Sequence, residues 1–281
     1  MIIFKYVPQL AGYIQQQKAL GKTIGFVPTM GALHSGHIGL IERSKQATSL
    51  TVCSIFVNPT QFNNQGDYQH YPSTIEKDIA RLEAAGTEIL FLPPVTEMYP
   101  QGTSGLEQYD LGFLETVLEG KYRPGHFQGV CQVMQRLLTM VQPDQLFMGQ
   151  KDYQQCMVVN RLLQLMHSPI KLVTFPTVRE ADGLAMSSRN LRLPPGDRQK
   201  APAIYKCLQL IRQQCAAGHD WPAIREEAAH LLQQQGFTID YVELAKADTL
   251  EPLNSCSSGQ PAVALIAAFL GEVRLIDNML L

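Results

Sequence analysis

The chain has 281 residues, 45% of them hydrophobic, and a formal net charge of −2, with a pI near 6.4. That length allows two domains of ordinary size or one large one, and the charge balance offers no broad basic face for nucleic acid. The longest apolar run, Ala262 to Leu270, is too short to cross a bilayer as a helix.

Met1-Ile2-Ile3-Phe4-Lys5 lacks the basic flank and long apolar core of a signal peptide, so a cytoplasmic protein without a membrane partner is expected. The 6 cysteines form no C-x-x-C pair. They read as free structural thiols rather than a disulfide framework or zinc knuckle.

A strand is expected at 23–27, followed by Pro28-Thr29 and then Met30-Gly31-Ala32-Leu33-His34-Ser35-Gly36-His37. Strand, glycine-rich turn and helix start follow one another there. A helix start presents unpaired N–H groups and a partial positive charge, which attract phosphate. A second strand at 50–57 leads into Asn58-Pro59-Thr60-Gln61-Phe62. Ser73-Thr74-Ile75-Glu76 has capping-box spacing and opens a helix that ends near Gly86. Then come a strand at 88–92, a helix at 127–141 and a strand at 145–148. Gly149-Gln150-Lys151-Asp152 leads into a helix at 152–166, and a strand at 171–175 runs into Pro176-Thr177-Val178. Strands alternating with helices imply a parallel sheet covered on both faces.

The pattern changes after about residue 176. A polar loop at 179–197 holds Met186-Ser187-Ser188-Arg189-Asn190. Helices at 198–217 and 222–235 follow, with Gly218 at a helix C-terminus. Strands at 238–244, 262–269 and 273–276 complete the chain. The expected organisation is an α/β domain over 1–176 and a smaller α+β domain over 177–281.

Ligands of open parallel sheets bind beyond the carboxyl ends of the strands, where these loops would gather. Lys151 supplies a point charge and Arg189 a planar fork for phosphates. Ser187 and Ser188 add hydroxyls. His34 and His37 can donate to oxygens that gain charge as phosphorus is attacked. Asp78 and Asp152 are candidates to hold Mg²⁺. Gln61 and Gln155 suit a substrate hydroxyl or carboxylate. Zinc binding by the histidine pair is disfavoured, since no third ligand has suitable spacing. Gly21-Lys22-Thr23 resembles the tail of a P-loop, but Gln16 stands where the first glycine belongs and the triplet precedes its strand. Neither G-x-G-x-x-G after the first strand nor G-x-S-x-G is present.

His34-Ser35-Gly36-His37 resembles the H-x-G-H signature of the nucleotidyltransferase superfamily, and Met186-Ser187-Ser188-Arg189 resembles its Lys-Met-Ser-Lys-Ser-like loop. The closer resemblance is to the pantothenate synthetase (pantoate–β-alanine ligase) family. It is carried by residues 28–37, 56–62, Arg123-Pro124-Gly125-His126-Phe127, 151–155, 179–190 and Arg274-Leu275-Ile276-Asp277-Asn278. Two positions depart from the pattern: Gln150, where glutamate is common, and Thr60, where methionine is common.

The resemblance implies a Rossmann-like nucleotide-binding domain with a smaller C-terminal lid domain, ATP, pantoate and β-alanine as substrates, Mg²⁺ entering with ATP, and a homodimer. It implies a pantoyl adenylate made from pantoate and ATP, then opened by the β-alanine amine. Carried over by position, His37 and His34 act at the phosphates, and Lys151, Ser187, Ser188 and Arg189 hold the β- and γ-phosphates. The ATP site further takes in Met30, Gly31, Ala32, Leu33, Ser35, Gly36, Gly149, Gln150, Asp152, Val178 (at the adenine) and Met186. Gln61 and Gln155 grip pantoate, and Pro28 and Met30 wall the pocket. A plain adenylyltransferase would share the histidines but need no amine. A tRNA-charging enzyme would need room for an RNA-binding domain. A nucleotide sensor would have little reason to carry both histidines with Lys151 and Arg189.

Overall fold

The computed structural model describes residues 1–63, 65–256 and 259–281. The chain divides into two compact units. One comprises 1–150 and 154–176, the other 151–153 and 177–281.

Among the described residues, the first unit carries strands β1 (Ile2–Phe4), β2 (Ile24–Thr29), β3 (Leu50–Ile55), β4 (Ile89–Phe91), β5 (Gln145–Gly149) and β6 (Lys171–Phe175). They form one sheet in the order β1-β4-β3-β2-β5-β6, parallel throughout. The apolar runs reflect this burial: every residue of β3 is buried, as expected for a parallel strand covered on both faces. Alternate residues feed two cores. Phe26, Val52, Ile89 and Leu146 pack with Leu10 and Ile14 of helix Val7–Ala19, with Phe127 and Val130 of helix His126–Val141, and with Val158 of helix Tyr153–Leu165. Val27, Cys53, Leu90 and Phe147 pack with Leu40 and Ile41 of helix Ser35–Ala47 and Leu82 of helix Ile75–Ala84.

From β2 the chain builds outward through β3 and β4, then returns to place β5 on the other side of β2. The strand order therefore switches between β2 and β5, and the carboxyl edge at such a switch is where open α/β sheets bind ligands.

Several details differ from expectation. β1 is a three-residue edge strand, too short to show a period. Helix Val7–Ala19 has glutamines at 15–17 and buries only Leu10 and Ile14, with Pro8 in its first turn, where a fixed φ suits the helix. The capping box at 73–76 does not form. Helix Ile75–Ala84 is preceded by Thr74 as N-cap, whose hydroxyl donates to Asp78 Oδ2 (3.1 Å).

The second unit packs helices Ala203–Ala216 and Trp221–Gln234 on an antiparallel sheet of β7 (Phe237–Lys246), β8 (Ala262–Leu270) and β9 (Val273–Leu280), in that order. Trp221, Ile224, Leu208 and Ile211 meet Val242, Ala264 and Ile266 in its core. Here the expectation of free thiols fails for one pair: Cys215 and Cys256, 41 residues apart, form a disulfide with Cα atoms 5.2 Å apart. Only the fold brings these positions within the roughly 4.4–6.8 Å window that bridging needs. Cys53, Cys131, Cys156 and Cys207 are free and buried. Burial pushes the Cys53, Cys131 and Cys207 thiols up to about 12, so these three are not thiolate nucleophiles at neutral pH. Among the described residues, no helix is long and apolar enough to cross a membrane.

Candidate active site

The first unit's candidate residues begin where β2 ends. Thr29 donates its hydroxyl to the Ser54 carbonyl (2.7 Å) and accepts from the Gly31 N–H (3.3 Å). Gly31 and Ala32 both take left-handed conformations, φ 86° and 48°. At Gly31 a Cβ would also stand 3.2 Å from Asp78 Oδ2 and from Ile55. Ala32 carries a penalty of roughly 1–2 kcal/mol for that conformation, so something must hold it. Asp78 does: Oδ2 accepts from the Ala32 N–H and Oδ1 from the Leu33 N–H, each at 2.8 Å.

Asp78 is fully buried. Its expected role as a magnesium ligand is therefore corrected. Both oxygens are turned onto the backbone before the histidines, and Asp78 positions that turn.

Helix Ser35–Ala47 starts with the two histidines in a reciprocal cap. His34 Nδ1 accepts from the Gly36 N–H, and His37 Nδ1 accepts from the His34 N–H, both at 3.2 Å. Their ring centroids lie 4.0 Å apart, tilted by 41°. A nitrogen that accepts has no proton, so this network assigns both rings the neutral tautomer with hydrogen on Nε2. Two N–H donors thus stand at the N-terminus of the helix that follows β2, the strand bordering the switch in strand order.

After β3, Asn58 is buried and anchors the turn Pro59–Gln61. Its Nδ2 donates to Gln61 Oε1 (3.0 Å) and to the Gly129 carbonyl (3.1 Å), and Tyr99 donates its hydroxyl to Asn58 Oδ1 (2.7 Å). Gln61 Nε2 reaches Met30 Sδ at 3.4 Å, so Gln61 stands beside the residue expected to wall the pocket.

From the other side, His126 Nδ1 donates to the Gln61 carbonyl (2.8 Å). Arg123 meets His126 Nε2 at 3.1 Å and Glu119 at 3.4 Å. Sequence reasoning noted 123–127 but gave Asn58, Glu119, Arg123 and His126 no role. The local signal was a histidine directly after Arg123-Pro124-Gly125, at the start of a helix.

Helix His126–Val141 crosses this turn closely: a Cβ on Gly129 would lie 2.2 Å from the Thr60 carbonyl oxygen. Because backbone must give way there, Gly129→Ala is expected to destabilise the fold by about 1–3 kcal/mol and to lower activity by displacing the Pro59–Gln61 turn. Thermal melting and steady-state kinetics read both effects, and an unchanged melting temperature counts against the close packing.

The adjacent glutamines 154 and 155 separate cleanly. Gln154 is buried and structural, donating to the carbonyls of Leu114 (2.7 Å) and Val117 (2.9 Å) and accepting from the Glu119 N–H (2.9 Å). Gln155 is half-buried and is left as the candidate for substrate.

Two of the expected cations, Lys151 and Arg189, belong to the second unit. Lys151 lies in the 3₁₀ turn Gln150–Asp152 that directly follows β5, with Nζ 3.3 Å from Asp152 Oδ1 and its side chain 17% exposed. The expected loop is a small hairpin: Met186 N–H donates to the Val178 carbonyl (2.9 Å) and Glu180 N–H to the Leu184 carbonyl (2.8 Å). Buried Leu184 and Ala185 root it. Ser187 Oγ then accepts from the Arg189 N–H (3.2 Å), capping the turn Ser188–Arg192, and Asn190 Nδ2 donates to the Ala185 carbonyl (3.0 Å). Val178, Met186, Ser187, Ser188 and Arg189 therefore belong to one rooted hairpin and turn.

Among the described residues, no group of three or more His, Cys, Asp or Glu is placed to hold a metal ion. With Asp78 committed to backbone, Asp152 (46% exposed side chain) is the remaining candidate carboxylate. This donor set fits a Mg²⁺ ion that arrives on a triphosphate, as such ions usually do, better than one caged by protein.

Residues 2–280 match the family model described as pantoate-beta-alanine ligase. The chain belongs to the pantoate-beta-alanine ligase family. A pantothenate synthetase of Pseudomonas fluorescens is 44% identical over 98% of this chain and 96% of its own length. That of Porphyromonas gingivalis is 42% identical over 99% of each. Among solved structures, pantothenate synthetase from Thermus thermophilus superposes with a TM-score of 0.92 at 41% identity, over 99% of both chains. The pantoate-beta-alanine ligase of Francisella tularensis, complexed with beta-gamma ATP and beta-alanine, has a TM-score of 0.83 at 36% identity, covering 100% of this chain and 97% of its own. Family membership thus agrees with the Rossmann-like sheet and the smaller C-terminal unit.

Proposed function

We propose that this chain condenses pantoate with β-alanine at the expense of ATP, giving pantothenate, AMP and pyrophosphate. The observation that carries the reading is the histidine pair, held by its Nδ1 atoms on a helix N-terminus next to the strand-order switch of a family fold. In the first step a pantoate carboxylate oxygen bonds to the α-phosphorus of ATP, and the bond to the bridging oxygen breaks, releasing pyrophosphate. In the second, the β-alanine amine attacks the carbonyl of this pantoyl adenylate. The C–O bond to phosphate breaks, AMP leaves and the amine loses a proton. Carboxylate oxygen is a poor leaving group and AMP a good one, which is why ATP is needed. Water must be kept out, because the mixed anhydride hydrolyses readily.

In this reading His37 and His34 donate Nε2–H to α-phosphate oxygens as charge builds. They act as stabilisers, because pyrophosphate leaves without needing a proton. Residues 31–36 border the nucleotide while most of their N–H groups stay with Thr29, Asp78 and the imidazoles, Gly149 and Gln150 approach it through backbone, and Val178 and Met186 pack at its base. Lys151, Ser187, Ser188 and Arg189 take the β- and γ-phosphates, with Mg²⁺ held chiefly by the phosphates and reached by Asp152. Gln61 and Gln155 take pantoate, with Pro28 and Met30 as the apolar wall. The second unit serves as a lid, and the protein is a cytoplasmic homodimer; light scattering checks the latter.

The test uses labelled pyrophosphate. Exchange into ATP is expected with pantoate alone, and AMP release only when β-alanine is also present. Exchange that strictly requires β-alanine would overturn the stepwise route. AMP release without any amine would favour a plain adenylyltransferase.

A further inference from the structure

The run Arg274-Leu275-Ile276-Asp277-Asn278 has no part in the reaction as described. Its last two residues lie on β9 and are buried, 2% and 3% exposed. Successive strand residues face opposite sides of a sheet, so this pair offers one polar group to each side.

Asp277 receives the Arg179 guanidinium as a fork, Nη1 to Oδ2 at 2.6 Å and Nη2 to Oδ1 at 3.1 Å. The same Nη1 donates to the Gly183 carbonyl (3.1 Å), and the guanidinium lies 4.0 Å from the centre of the Tyr205 ring. Gly183 has φ +92°, and a Cβ there would come within 2.3 Å of that ring. Ring, guanidinium and hairpin are thus packed without slack. On the other side, Asn278 Nδ2 donates to the Lys151 carbonyl (2.8 Å), and Tyr153 donates its hydroxyl to the Ala247 carbonyl (2.7 Å). Burial pushes the Asp277 carboxyl up from its ordinary value, while Arg179 and the Asn278 N–H pull it back down.

A buried ion pair gains little net stability over an apolar substitute of similar volume. Stability alone therefore gives no reason for two adjacent buried polar residues, one tied to the Lys151 turn and the other to the 178–189 hairpin. We infer that Asp277 and Asn278 are positioning residues that fix the spacing between Lys151 and the Ser187–Arg189 turn, so that both engage one triphosphate. This rests on the phosphate roles proposed above. It accords with Lys151–Tyr153 belonging to the second unit although only Gln150 separates it from β5 of the first.

The test is a pair of double-mutant cycles read in pantoate-dependent pyrophosphate exchange, with folding followed by circular dichroism. Asn278→Ala is expected to lower kcat/KM for ATP roughly 10–100-fold, as sub-ångström misplacement does, with KM for pantoate unchanged. In a Lys151→Ala background the same substitution is expected to cost nothing further, because Asn278 acts through Lys151. Likewise Arg179→Lys, which replaces the fork with a point charge, is expected to add no loss to Arg189→Ala. Losses that multiply in both cycles, or an equal rise in KM for pantoate, would overturn the inference. If Asn278→Ala does not fold, the Arg179–Arg189 cycle decides by itself. Near-normal turnover of Lys151→Ala would overturn its phosphate role above, and that same second cycle would still decide the coupling.

Discussion

Lys151→Ala is expected to lower kcat in pyrophosphate exchange by about 10²–10³, the loss typical of removing a preorganised charge contact from a transition state. The melting temperature is expected to move by a few degrees at most. The Lys151 ammonium pairs with Asp152, whose side chain is 46% exposed, and such a solvated pair contributes roughly 0–1 kcal/mol. A large kinetic effect with a small thermal one therefore isolates catalysis from folding. Lys151→Arg restores the charge but replaces a compact ammonium with a planar fork, so it is expected to recover part of the rate. Single-turnover measurements with saturating ATP and pantoate separate the chemical step from binding. Turnover within a factor of a few of the parent enzyme would remove Lys151 from the mechanism.

Much of this architecture is legible in sequence because a parallel sheet buried on both faces leaves unbroken apolar runs. The strands expected at 50–57 and 145–148 coincide with β3 and β5 for that reason, although Thr51 and Ser54 interrupt the first, and their order with helices between them implies the sheet. Elements with weak contrast escape notice. β1 spans three residues, and helix Val7–Ala19 buries only two side chains behind a run of glutamines. The helix start at Ser35 is legible through Gly31, His34 and Gly36.

What the imidazoles do there is less so. The Nδ1 atoms accept from backbone N–H groups two and three residues away, which only the folded turn reveals. Asp78 is a further example. Its partners Ala32 and Leu33 lie 46 and 45 residues earlier, and in the sequence it reads as a carboxylate available to a metal. The Cys215–Cys256 bridge fails for the same reason, since long-range juxtaposition has no local signature. Arg123 and His126 are conspicuous in the chain, yet their attachment to Gln61 depends on how helix His126–Val141 crosses the Pro59–Gln61 turn.

Asp78→Ala is expected to strike both stability and activity, and the combination distinguishes a positioning carboxylate from a metal ligand. The substitution leaves two N–H groups without their acceptors, on Ala32 and Leu33, which are 4% and 1% exposed. Each such orphan costs about 1–3 kcal/mol, and the left-handed Ala32 loses the contact that holds it. Relief from burying a carboxylate offsets part of this, leaving a net loss of about 3 kcal/mol. For a chain of this size that corresponds to roughly 10 °C in melting temperature.

Because the same turn sets the position of both imidazoles, exchange activity is expected to fall about 10²-fold even where the protein is fully folded. Asp78→Asn keeps one acceptor oxygen for one of the two N–H groups, so it is expected to lie between parent and alanine variant in both measurements. A magnesium ligand would behave differently: its loss would be recovered by raising Mg²⁺, and the melting temperature without nucleotide would stay put. Thermal melts of the nucleotide-free variants, with exchange assays across a Mg²⁺ titration, give the answer. Rescue by metal at unchanged stability would return Asp78 to the metal site and leave the histidine turn without its anchor.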